Sequence, residues 1–111
     1  AIEEIAMTRP AIHPGEILAD ELADIGVKPA ELARQIGVPA NRLTEIIRGR
    51  RSIIGDTALR LGHWFGTTPQ FWINLQTAYE LRRAHEEAGE EIELLPRRVD
   101  HTAAMQVHAA E

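Results

Sequence analysis

The eleven residues NRLTEIIRGRR, 41 to 51, hold four of the twelve basic side chains in a protein whose formal charge is −5. Guanidinium groups at that density suit phosphate neutralisation. Set beside Asn41 and Glu45, they also suit the reading of base edges, because arginine pairs bidentately with guanine, asparagine with adenine, and glutamate accepts from the cytosine amino group. The bland alternative is a solvated helix face. The charge along the chain is uneven: residues 1 to 27 carry one Arg against six acids, whereas residues 28 to 51 carry six Lys or Arg against Glu31 and Glu45. Residues 52 to 79 balance Arg60 against Asp56, and residues 80 to 111 set four Arg against eight acids. One basic segment therefore lies between acidic ones.

Other groupings offer less. HEEAG, 85 to 89, starts like a zinc-protease motif, but Gly89 stands where the second histidine is needed. His13, His63, His101 and His108 share no ligand spacing with carboxylates, and the chain has no cysteine, so no metal, cofactor or disulfide is expected. Asp20, Glu21 and Asp24 could be imagined as paired acids, yet they fall on an outward helical face without a base. Ser52 and the threonines have no readable triad partners, and there is no glycine-rich phosphate loop. An enzyme is not expected. Apolar runs of a few residues fall far short of the roughly 20 that span a bilayer, and no signal-peptide pattern is present, so a soluble cytoplasmic protein is the expectation.

The elements that must hold the basic segment read as helices. Leu18, Leu22 and Ile25 recur at helical spacing after HPG, with Ile17 widening the stripe and Gly26 placed to end the helix. Pro29 opens a two-turn second helix with Leu32, Ala33 and Ile36 inward and Gly37 after it. Leu43, Ile46 and Ile47 define a third, ending by Gly49. Asp56 is expected to cap a fourth, with Ala58, Leu61, Gly62 and Phe65 on its inner face, closing near Gly66. Thr68 and Pro69 begin a longer fifth reaching about Glu87. The only strand candidate is the weak EIELL, 91 to 95. An all-α fold follows, with a loose segment over 1 to 10, a helical domain over 11 to 88 and a partly extended tail over 89 to 111. No role is assigned to residues 1 to 6, ahead of Met7.

Helices two and three, joined by a short turn at Gly37, have helix-turn-helix proportions, and Ala33 supplies the small side chain that a steep crossing needs. At about 100° per residue, the third helix turns Asn41, Thr44, Glu45 and Arg48 away from its core side, with Arg42 on the flank. Arg50 and Arg51 follow its end, and Lys28 opens the second helix. These positions are the expected DNA contacts. On the fifth helix, Phe71, Trp72, Leu75, Ala78 and Tyr79 share an inner arc, whereas Ile73 falls nearly opposite and Leu81 to one side. A partner copy is the expected cover for Ile73 and Leu81, since two half-sites about 34 Å apart call for a two-fold dimer.

The stretches HPGEILADELADIG, ELARQIGVPANRLTEIIRGRRSI and DTALRLGHWFGTTPQFWINLQTAYELR resemble consecutive signatures of the HigA-type antitoxins, a branch of the Xre, lambda repressor-like helix-turn-helix proteins. The resemblance covers residues 12 to about 86, with HPGEIL and FGTTPQFWINLQ its most specific parts. It implies a five-helix domain that dimerises, represses its own operon and binds a small basic mRNA-cleaving toxin of the RelE or HigB type. It also places the recognition positions on Ala40, Asn41, Arg42, Thr44 and Glu45, with backbone contacts from Arg48, Arg50 and Arg51. The chain departs at Pro29, where many relatives carry a Gln or Ser able to contact phosphate. Because an RNA-cleaving toxin must be basic, Asp20, Glu21 and Asp24, or the glutamates from Glu86 to Glu93, are its expected docking surface, with a role only in keeping the protein soluble as the equal alternative. The alternative is a stand-alone Xre-type repressor without a toxin.

Overall fold

Proline and glycine punctuate this chain, and the helices start and stop where they do. The computed structural model of the protein describes residues 11–99. The segments 1–10 and 100–111, with His101 and His108, lie outside the described residues. Among the described residues five helices follow one another: α1 (Pro14–Ile25), α2 (Pro29–Ile36), α3 (Ala40–Ile47), α4 (Gly55–Phe65) and α5 (Pro69–Glu93). Proline is the first residue of α1, α2 and α5, where its missing N–H costs nothing. Gly37 adopts φ 74° between α2 and α3, a left-handed conformation that only glycine takes without strain, and this makes the tight corner of the helix-turn-helix.

The core gathers one stripe from every helix. Leu18 and Leu22 of α1, Leu32, Ala33 and Ile36 of α2, Leu43 and Ile46 of α3, Ala58 and Leu61 of α4 and Trp72 of α5 are all buried, with Val38 and Ile53 from the connections. Most of these inward positions are the ones helical spacing predicts. The HPG opening has a packing reason as well. His13 Nδ1 accepts the Gly15 N–H at 2.9 Å and so caps α1, and a side chain at Gly15 would run into the Ile46 carbonyl. Glycine there lets α1 close on the end of α3.

Several expectations need correction. Ile25, expected inside, is 52% exposed, because α1 has already turned its last residue past the core. Phe71, expected on the inner arc, is 44% exposed, since it precedes Trp72 at the start of α5 and stacks edge-on against it from outside. Asp56 does not cap α4: Ile54 holds the cap position, and Asp56 sits in the first turn. EIELL is not a strand. α5 runs through the boundary expected between 88 and 89 and continues to Glu93, where intrahelical bonds satisfy the backbone that a lone strand would leave unpaired. Ion pairs Arg82–Glu86 and Arg83–Glu87, one turn apart, line its exposed length.

Candidate nucleic-acid interface

α3 is eight residues long; it buries Leu43 and Ile46 and packs Ile47 against the core, which leaves the opposite face available to a partner. Ala40 and Asn41 are exposed at its start, and Arg48 and Arg50 at and beyond its end. Lys28, at the cap position of α2, is exposed too. No ion pair within the described residues engages Lys28, Arg48 or Arg50, which leaves their charge available to phosphate.

The remaining expected contacts are exposed or half-buried and already hold intramolecular partners. Thr44 Oγ1 donates to the Ala40 carbonyl at 3.1 Å, so its proton is used within the helix. Arg51 pairs with Glu45 through Nη2 at 2.6 Å and Nε at 2.8 Å, and each partner fixes the other at the helix end. Arg42 Nη1 donates to Asp56 Oδ2 at 2.6 Å. The Arg60 and Arg42 guanidinium groups together hold the Asp56 carboxyl below the usual carboxylate range. Asp56 and Arg60 therefore belong to this surface, although sequence reasoning gave them only a capping role and a charge balance. Their spacing of four residues was a visible signal; the link from Asp56 back to Arg42 was not.

The segment carrying Arg50 and Arg51 is anchored from behind. Gln76, buried on α5, accepts the Ile53 N–H at 2.8 Å through Oε1, and its amide nitrogen donates to Glu80 at 2.9 Å and to Ser52 Oγ at 3.3 Å. A glutamine on the inner face of an otherwise apolar arc was the missed clue. Asp20, Glu21 and Asp24 are exposed on α1, without ion pairs among the described residues. A mostly apolar groove lined by Ala19, Leu22, Ala23, Val27 and Ile47, and also by Lys28, adjoins them. Ile73 is half-buried and packs against the core rather than projecting from it, whereas Leu81 is 66% exposed. Among the described residues, no cluster of His, Asp or Glu could hold a metal ion, and no helix is long and apolar enough to cross a membrane.

No protein-family model matches the chain. Individual proteins do match. Virulence-associated protein I of Dichelobacter nodosus is 48% identical over 79 residues, 70% of this chain and 73% of that protein. The structure of an addiction-module antidote protein of the HigA family from Coxiella burnetii superposes with a TM-score of 0.77 at 48% identity, covering 80% of this chain and all of that one. The chain belongs to the HigA family. Pseudomonas aeruginosa antitoxin HigA, whose structure was determined with the higBA promoter, is 43% identical and superposes with a TM-score of 0.77 over 82% of this chain and all of its own. The five-helix, all-α architecture of the described residues is thus shared with these HigA structures, and its helix-turn-helix is α2 and α3.

Proposed function

We propose that this HigA-family chain is an antitoxin that also represses its own operon, with α3 as the helix that enters the major groove. The observation that carries the DNA half is the outward face of α3. Asn41, Arg42 and Glu45 stand on an element that turns Leu43, Ile46 and Ile47 to the core and is flanked by the cations Lys28, Arg48 and Arg50, which make no ion pair among the described residues. Side chains of these types at the start of a recognition helix read bases, while cations at its ends hold the backbone. The structure of Pseudomonas aeruginosa HigA with the higBA promoter supports the same reading. Titrating the protein against the DNA upstream of its own gene and against random duplex, at several salt concentrations, tests it. Preference for the upstream DNA is expected; equal binding to both would exclude sequence reading.

A symmetric dimer fits this task, and the outer half of α5 offers its surface. From Glu80 onward no residue of α5 is buried. At about 100° per residue, Leu81, Ala88 and Ile92 fall on one line, a stripe that a second copy would cover by the same patch. The toxin partner follows from the family. Asp20, Glu21 and Asp24 beside the apolar groove of α1 suit a basic protein, here a RelE-like RNA-cleaving toxin. Reversing the three charges should slow association and matter less above about 0.15 M salt. An unchanged association rate would reduce that face to a solubility feature.

A further inference from the structure

Arg42 differs from the other ion-paired cations of residues 28 to 51 in that its acid stands on another helix, whereas Arg34 pairs with Glu31 within α2 and Arg51 pairs back to Glu45 of α3. Its Nη1 donates to Asp56 Oδ2 at 2.6 Å, the same oxygen accepts Arg60 Nε at 3.0 Å, and Arg60 Nη1 donates to the Ile36 carbonyl at 2.8 Å. A chain of hydrogen bonds thus runs from the last residue of α2, through the first turn of α4, to the third residue of α3. Asp56 lies where the α4 dipole favours a carboxylate, and two guanidinium groups keep it ionised. Ion pairs this exposed contribute little to folding. Their geometry has a different use. A guanidinium carries five N–H donors in one plane, and a bidentate contact with guanine uses two of them. Engaging Nη1 on Asp56 orients that plane before DNA arrives and leaves the other donors available. The side-chain freedom of Arg42 is then lost on folding, not on binding.

We infer that Asp56 is a specificity-determining positioning residue: through Oδ2 it orients the Arg42 guanidinium toward one guanine of the operator, and Arg60 holds Asp56 in place. The inference rests on α3 reading DNA. It carries a signature that a fold-supporting ion pair lacks. A carboxylate near the phosphates repels every DNA sequence, so Asp56 lowers affinity in general while raising discrimination at one position.

The test titrates wild type, D56A, D56N, R42A and the D56A/R42A double variant against the operator, its single base-pair variants and random duplex. D56A should bind random duplex more tightly than wild type. It should lose about 2- to 10-fold of discrimination at one base pair, the range set by ordering one long side chain on binding, and keep its discrimination elsewhere. D56N, nearly isosteric, should give the same pattern more weakly and serves if D56A folds poorly. In the R42A background, D56A should change discrimination no further, because Asp56 acts through Arg42. The inference is overturned if D56A weakens operator and random DNA by one common factor with its base-pair profile intact, if R42A alone leaves that profile unchanged, or if the D56A loss persists without Arg42. A wild type that does not prefer operator to random duplex would instead sink the DNA-reading assignment of α3, and this inference with it.

Discussion

Asn41 and Arg50 stand a few residues apart on one surface and should fail in different ways when removed. Asn41 is exposed in the first turn of α3; if its amide reads a base edge as proposed, Asn41→Ala should cost about 1 to 3 kcal/mol on the operator and relax specificity. Arg50 lies beyond the helix end without an acidic partner. Its loss should weaken all duplexes alike and reduce the salt slope by about one. Gel-shift titrations over a salt series separate the two, and equal effects of both variants on operator and random DNA would contradict the division of labour. At this scale the sequence shows residue types and helical azimuth, which is why Asn41 and Arg48 lie exposed where the wheel puts them and Arg50 lies exposed past the helix end. It does not show which charges cancel. The Arg42–Asp56 and Glu45–Arg51 pairs depend on the angle between α3 and the chain that follows it, and no periodicity encodes that angle.

At the scale of the element, α1 is held at its start by a titratable cap. His13 is buried, its Nδ1 accepts the Gly15 N–H, and its ring meets Tyr79 edge-on at 4.8 Å. Burial lowers its pKa below the ordinary 6.5, with Glu16 opposing in part. The unfolded chain therefore takes up this proton at a higher pH than the folded one. The cap's contribution to stability is complete above about pH 6.5 and is lost as pH falls below that value toward the folded pKa. Denaturant midpoints between pH 7.5 and 5 should fall for wild type, and less steeply for His13→Asn, whose side chain still caps but does not titrate in this range. Identical slopes would place the pH dependence elsewhere. Helix existence and most of the inner faces were legible because helical spacing and the proline and glycine signals agree, although Ile25, Phe71 and Ala78, expected inside, are exposed. What was illegible arose between elements: Gly15 is fixed by the Ile46 carbonyl, and Gln76 by the Ile53 N–H. α5 outran its expected end because the exposed, glutamate-rich turns after Glu87 still close their own hydrogen bonds.

Taken whole, the molecule separates its surfaces by charge. Cations cluster on α3 and its flanks, carboxylates on α1 and on the outer half of α5, and the apolar stripe of Leu81, Ala88 and Ile92 runs along that outer half. Ile73 packs on the core, so the proposed dimer is better probed at Leu81. Leu81→Asp should give a folded monomer by sedimentation and circular dichroism, with greatly reduced operator affinity because the second half-site is lost. A Leu81→Asp protein that stays dimeric would move the interface to another face. Separate surfaces also mean separable activities. The most direct measurement is growth of cells expressing the product of the adjacent gene, alone and together with this chain or its Asn41→Ala variant. The account predicts growth arrest by the neighbour alone, relief by both forms of the chain, and co-purification of the two proteins. Arrest that neither form relieves, with no complex recovered, would contradict the antitoxin assignment and leave a stand-alone repressor.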